Sequence, residues 1–351
     1  MGFAAKVPEV SQSFLEENMK KLLSLALVIL MSAAVFAGCA GNSENKDDGV
    51  VSVAVVVAGG LGDRSFYDSA KAGLDRLVAD YNVQGKVIEC KEDASMFQQQ
   101  LVNAAETCDF VVAVGWQFAD GLRAVAPELP DTKFIYVDEA VEGISNIYNI
   151  KYAQNEGSFL VGYIAARLST TGKVGAVGGM DGDTINDFLV GYTQGAQYAN
   201  PACGVEVNYA GDYEDPAKGK ECALTLYGKG CDVVFQVAGK TGEGVFEAAA
   251  EQGRYAIGVD SDQKYINPNV IVCSMIKKVG DSIYDTVAAF INDDTWKGGT
   301  TWVADMASGY VDVGYGEAGA AQQVSDELKA EVEALKQKII SGEIVVQTTR
   351  S

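Results

Sequence analysis

The sequence predicts an α/β protein of two similar lobes, each built on a parallel sheet, with a ligand cleft between them. Three observations lead there. Short valine-rich apolar runs alternate with segments of helical periodicity, which is the βαβ grammar of a parallel sheet. The second half repeats the first: KVGAVGG (173–179) answers VSVAVVVAGG (51–60), and CDVVFQVAGKTGEG (231–244) answers DFVVAVGWQFADG (109–121). Each of these runs ends in a loop mixing glycine, aromatic and acidic residues. In open α/β sheets, ligands bind at the carboxyl ends of strands.

The elements follow in order. Val51 to Ala58 is an almost unbroken apolar run, short and β-branched, so it reads as a strand buried on both faces. Gly59 and Gly60 break it, and Ala70, Leu74 and Leu77 then recur at helical spacing from Ser69. Strands are expected at 86–90, 109–115 and 132–138, with a helix over 94–107 and another starting near Trp116. A strand-like stretch from 144 leads into a long helix, Asn155 to Leu168, whose Gly157 and Gly162 imply close approach of another backbone. The second half is expected to carry strands at 173–179, from 205, from 231, at 255–260 and at 270–278. Helices at 186–199, 216–229, 244–252 and 281–291 separate or follow them. Residues 301–315 read as two strands, 324–341 as a charged amphipathic helix, and the tail EIVVQTTRS as an edge strand.

Composition narrows the function. The 351 residues suit about two domains. A formal net charge of −21 argues against nucleic acid as a partner, because phosphate binding needs clustered Lys and Arg. The chain has no histidine, which removes the commonest general base and metal ligand and every His-dependent triad. Carboxylate, Lys or Cys chemistry stays open. No metal or cofactor is called for: there is no Walker loop, and neither AGGLGDRS nor GKTGEG completes a dinucleotide-binding fingerprint.

Residues 19–39, MKKLLSLALVILMSAAVFAGC, have a basic head, an apolar core and small residues before Cys39. That is the layout of a secretory signal, and the apolar core is short of the roughly 20 residues a membrane span needs. Val-Phe-Ala-Gly-Cys resembles a bacterial lipobox, so Cys39 is the expected lipidation site and residues 40–49 a polar tether. Glu16 and Glu17 precede the basic head, which fits a true start at Met19. The other cysteines show no CxxC spacing and read as buried thiols; metal binding by them is the alternative.

The acids Asp63, Asp120, Asp138 and Asp260 each follow an apolar strand. Such an acid either caps the next helix or accepts paired hydrogen bonds from ligand hydroxyls or ring N–H groups. Phe66, Trp116, Phe118, Phe188 and Tyr213 occupy the same loops; aromatics there are either core or stacking partners for a planar or sugar ligand.

GGLGDRSFYDSAKAGL, EGSFLVGYIAA, YAGDYEDPAKGKECA, AGKTGEGV, GVDSDQ and CSMIKK resemble the basic membrane protein family of substrate-binding lipoproteins, among them purine-nucleoside receptors of ABC transporters. The likeness runs from about Val51 to the chain end. It implies a type I periplasmic-binding-protein fold: two Rossmann-like lobes joined by three crossovers, the ligand closed between them. The implied first lobe is 50–150 with about 266–298, and the second about 151–265 with 299–351. The lobes would follow an upstream extension (1–18), a lipoprotein signal (19–38) and the tether (39–49). By motif position, Asp63 and Phe66 would meet the base, Phe66 by stacking, and Trp116 would line the cleft. Asp138 would bond the base edge, Tyr213 or Phe188 would stack on the opposite face, and Gly239, Asp260 and Lys277 would hold the ribose. The sequence departs from the family pattern at Trp-Gln-Phe (116–118) and Gly62-Asp63-Arg64.

The implied protein is a lipid-anchored, monomeric binding protein on the extracytoplasmic face of the membrane. It would capture a purine nucleoside and deliver it to an ABC permease, without catalysis. The alternatives are a sensing protein of the same fold for a sugar or other small molecule, and a nucleoside hydrolase-like enzyme using the clustered Asp residues.

Overall fold

The computed structural model describes residues 1–2 and 49–349. Nearly all of the expected extension, signal and tether, Cys39 included, lies outside the described residues.

Twelve strands are present among the described residues: β1 (Ser52–Val57), β2 (Gln84–Glu89), β3 (Phe110–Val114), β4 (Lys133–Val137), β5 (Ile147–Tyr152), β6 (Lys173–Gly178), β7 (Gly204–Tyr209), β8 (Val233–Val237), β9 (Tyr255–Asp260), β10 (Ile271–Lys277), β11 (Thr300–Ala304) and β12 (Val311–Gly314). The helices are α1 (Phe66–Tyr81), α2 (Ala94–Ala105), α3 (Ala119–Val125), α4 (Gln154–Leu168), α5 (Asp183–Ala199), α6 (Pro216–Gly228), α7 (Glu243–Gln252), α8 (Val279–Asp293) and α9 (Asp326–Ile340).

The strands form two six-stranded sheets, ordered β11-β5-β4-β3-β1-β2 and β12-β10-β9-β8-β6-β7. Every pairing is parallel except β10 with β12. The strand β3, wholly apolar, and β8, apolar but for Gln236, are buried throughout, as central parallel strands covered on both faces must be, while the edge strands β2 and β7 are partly exposed.

Strand pairing corrects the expected lobe boundaries. β10 continues the second sheet beside β9, and β11 completes the first sheet beside β5. Between them α8 packs on α1, where a Cβ at Gly73 would come within 2.3 Å of the Gly280 carbonyl oxygen. The first lobe is therefore 49–152 with 279–304, the second 154–277 with 311–349. The chain crosses between lobes three times, at Ala153, Lys278 and 305–310. The expected pair of strands in 301–315 exists, but its members belong to different sheets.

Helices α4 and α5 touch backbone to backbone: a Cβ on Gly162 would lie 2.1 Å from the Tyr192 carbonyl oxygen. This is the close backbone approach expected of Gly162; Gly157 instead meets the side chains of Val311 and Met275. The described cysteines are all free, five buried and Cys222 partly so, which keeps them as packing residues. Lys264 is wholly buried, its Nζ donating to the carbonyls of Ile271 (2.8 Å) and Val272 (3.0 Å) and to Gln323 Oε1 (2.7 Å). The two carbonyls lie where the β9–β10 register slips, so the ammonium satisfies groups the irregularity leaves unpaired. Among the described residues the tail after α9 forms no strand; it runs over α5.

Candidate functional site

The carboxyl ends of β1, β3 and β4 in the first lobe face those of β8, β9 and β10 in the second. Between them lies a cavity of about 570 Å³, its open mouth included. All nine residues that the family resemblance assigns to the ligand line it: Asp63, Phe66, Trp116, Asp138, Phe188, Tyr213, Gly239, Asp260 and Lys277.

Asp63 is buried, and both its oxygens are taken by backbone. Oδ1 accepts from the amides of Ser65 and Asp68 (both 3.0 Å), and Oδ2 from that of Tyr67 (2.9 Å). It braces the loop and caps α1, which is the alternative the sequence left open for such an acid. Burial pushes its carboxyl up to about 7, outweighing the three amide bonds that favour the ionised form. Phe66, the first residue of α1, projects half-buried into the cavity from this braced turn.

Asp138, just after β4, and Asp260, at the end of β9, have left-handed backbones, φ 88° and 62°. Such conformations are uncommon for side-chain-bearing residues and collect at functional sites. The two acids converge on Lys277 at the end of β10, whose ammonium is 2.8 Å from Asp138 Oδ1 and 3.6 Å from Asp260 Oδ1. The ammonium is nearly inaccessible and lies 4.6 Å from the Phe66 ring centroid and 5.0 Å from that of Phe188. Those distances hold the two rings within 9.6 Å of each other. Two planar rings stacked between them would need about 10.5 Å, so no more than one aromatic layer can lie between these two side chains.

Asp260 Oδ2 lies 2.9 Å from Ser65 Oγ across the cleft. Its Oδ1 is buried and has no hydrogen-bond donor. Burial holds this carboxyl above the usual range, with Lys277 pulling it back. Tyr213 lies against the end of β6, where a Cβ on Gly179 would come within 2.1 Å of the ring, so only glycine lets the ring reach this wall. Burial pushes its phenol up to about 12. Phe188 is buried near Phe235, a core position whose ring still reaches the cavity. Trp116 stands at the mouth, 42% exposed.

The other candidates separate. Asp120 is exposed and pairs with Arg123, and Phe118 is core against Phe97. Sequence reasoning missed Ser65, Tyr67, Gln117, Thr184 and Ile185, of which all but Ser65 line the cavity. Tyr67 had a signal, its place beside Phe66. Thr184 lies in the first turn of the helix that follows β6, as Phe66 lies in the first turn of the helix that follows β1.

The lobes are closed on each other. Gly60 donates to Glu214 Oε1 (3.0 Å), Gln263 to the Arg64 carbonyl (3.3 Å) and Thr184 to Glu139 Oε1 (3.0 Å), and Arg64 pairs with Glu243 (3.5 Å). Each joins one lobe to the other around the cavity rim.

Comparison with known proteins places this geometry. The model of the Bmp family, described as ABC transporter substrate-binding protein PnrA-like, matches residues 50–350. Basic membrane protein A2 of Borrelia garinii subsp. bavariensis is 31% identical over 93% of this chain and 96% of its own length. The ABC transporter nucleoside-binding protein BmpA of Lactococcus lactis subsp. cremoris is 32% identical over 93% of this chain and 99% of its own. A solved ABC transporter solute-binding protein from Aeropyrum pernix superposes with a TM-score of 0.78 at 28% identity, covering 86% of this chain and 94% of that one. The two lobes and three crossovers are the type I periplasmic-binding-protein fold. The chain therefore belongs to the PnrA-like family of ABC transporter substrate-binding proteins, and is a binding component of a transporter rather than an enzyme.

Proposed function

We propose that this protein captures a nucleoside, a purine nucleoside by preference, and delivers it to an ABC permease. It does so as a monomer held by a lipid on Cys39 at the extracytoplasmic face of the membrane. The observation that carries the reading is the buried Asp260 Oδ1, an acceptor without a hydrogen-bond donor, set beside Lys277 and next to the Phe66 and Phe188 rings. A planar base fits an aromatic pair, and a sugar hydroxyl fits a buried carboxylate oxygen that lacks a donor. In this reading Phe66 stacks on one face of the base, Phe188 or Tyr213 covers the other, and Asp138 bonds the base edge. Asp260, Lys277 and Gly239 hold the ribose, and Trp116 closes the mouth. Asp63 supports the site by holding the Phe66 loop. The nucleoside-binding name of the Lactococcus lactis relative favours the same ligand class. Ligand contacts to both lobes favour the closed arrangement over an open one, which makes closure the signal a permease reads.

Isothermal titration with inosine, guanosine, adenosine, cytidine and free ribose tests the reading. Purine nucleosides are expected to bind most tightly, and Asp260→Ala to abolish that binding. Binding of a sugar with no nucleoside bound would overturn it. For the anchor, Cys39→Ala is expected to release the protein from the membrane fraction.

A further inference from the structure

The C-terminal tail follows α9 and runs back over the helix that carries the second lobe's part of the cavity wall. Its contacts are specific. Asn155, in the first turn of α4 just past the first crossover, donates through Nδ2 to the carbonyls of Val346 (3.2 Å) and Gln347 (3.0 Å). Gln194 of α5 holds the tail from the other side, donating to the Val345 carbonyl (3.2 Å) and accepting from the Gln347 amide (2.7 Å). Val346 is buried in the core. At the far end, the Thr348 hydroxyl and the Thr349 amide (3.2 Å) both donate to Asp187 Oδ1, and the Thr349 hydroxyl donates to the Asp183 carbonyl (3.2 Å). Asp183 to Asp187 is the first turn of α5, and the side chains that turn and the next residue send into the cavity are Thr184, Ile185 and Phe188.

We infer that the tail, residues 343–349, is a positioning strap for the ligand site. It holds the first turn of α5, through Asp187, against α4, so that Phe188 and Thr184 stand where the closed cleft needs them. The reason is local. Gly182, the residue ahead of α5, has no side chain with which to anchor this turn, and the donors that the tail brings to Asp187 and to the Asp183 carbonyl tie the turn to the strap instead. A helix end without such contacts frays, and a wall residue on a fraying turn lowers the fraction of binding-competent protein. Asp187 is a positioning residue, since its carboxylate meets the tail and not the cavity.

The inference rests on the nucleoside reading for its affinity readout, and a second readout keeps the two apart. Inosine affinity and dissociation rate are measured for the full chain, a variant ending at Gly342, Thr348→Val, Asp187→Ala and Asp187→Asn. Loss of the strap is expected to weaken binding about tenfold, within the range usual for coupling between two places in a protein. Asp187→Asn should recover most of that affinity, because its amide oxygen still accepts from Thr348 and Thr349. A synthetic peptide of residues 343–351 added to the shortened protein should restore affinity. Wild-type affinity in both the shortened protein and Asp187→Ala would overturn the inference. If the shortened protein fails to fold, Thr348→Val and Asp187→Ala decide the matter. If the full chain binds no nucleoside, the ligand reading fails instead. Hydrogen exchange of the 184–190 amides in unliganded protein then tests the strap: faster exchange in Asp187→Ala supports it, and unchanged exchange overturns it.

Discussion

Replacing Lys277 with methionine removes the charge from a nearly inaccessible ammonium in the site while keeping an unbranched chain of similar length. The ammonium is 2% exposed, 2.8 Å from Asp138 and 3.6 Å from Asp260. At an effective dielectric of about 20, those separations correspond to about 6 and about 5 kcal/mol of attraction. Much of that is offset by returning the ammonium to water in the unfolded chain. Breaking a buried pair by removing one partner leaves a net loss of about 3–5 kcal/mol. For a folded body of about 300 residues, with an unfolding entropy of about 2.1 cal/mol/K per residue, that is a fall in melting temperature of roughly 5–8 °C. The loss should depend on pH with a definite sign. Asp260 already titrates above its ordinary value through burial, and Lys277 is the main influence opposing the rise. Without Lys277 the folded-state value climbs further. A carboxyl raised in the folded state contributes stability that is complete below its unfolded value of about 4 and is lost as pH rises through the folded value. The deficit of Lys277→Met against wild type is therefore expected to be large at pH 8 and to shrink toward pH 5. Adding Asp138→Asn removes one of the two stranded carboxylates and should recover about 2 kcal/mol. Urea and thermal unfolding at pH 5, 6.5 and 8 measure all three. A variant melting within 2 °C of wild type at pH 8, or a deficit that grows on acidification, would refute the assignment of Lys277 as the neutralising centre.

Asp63→Ala deprives three amides of their acceptor and should cost about 2–4 kcal/mol in urea unfolding, with Asp63→Asn costing less. Because burial raises Asp63 to about 7, its stabilising share is complete below pH 4 and lost as pH rises through 7; Asp63→Asn should flatten that part of the stability–pH curve. Phe66→Ala gives up stacking and burial worth about 2–4 kcal/mol, so titration should show purine-nucleoside affinity reduced at least tenfold with little change in melting temperature, since this ring is only half-buried in the unliganded protein. Ser65→Ala removes the bond from one lobe to Asp260 in the other and is expected to speed ligand release about tenfold in stopped-flow fluorescence. Arg64→Ala removes an exposed pair at 3.5 Å and should change release less than threefold.

Local physics was enough to read much of this protein from its residues. Unbroken valine-rich runs such as 53–57 and 110–114 need no partner to be recognised as buried strands, and a loop at a strand's carboxyl end belongs to a cleft whichever strand it follows. The repeated order of strand, glycine loop and helix in the two halves is why nine chosen residues meet in one cavity. Sequence also showed where a charge or ring would stand, but not what it would touch. Asp63 and Asp260 look alike as acids after apolar strands. The amides of Ser65, Tyr67 and Asp68 occupy the first, while the second faces the cleft with one oxygen lacking a donor. Trp116 and Phe118 stand two residues apart, yet a short 3-10 turn sends one to the mouth and the other into the core. β10 and β11 are both plausible strands, and their apolar patterns carry no record of which sheet receives them. That choice rests on α8 packing against α1 and on β10 pairing with β9, contacts made between residues far apart in the chain. The tail reads as a strand because its residues favour extended backbone, but Asn155, Asp187 and Gln194 take its hydrogen bonds in place of a sheet edge. Residue type and spacing determined the elements and the end of each sheet where ligands gather. Only the tertiary structure decided the partners, because a buried polar group or a strand edge is satisfied by whatever the fold brings beside it.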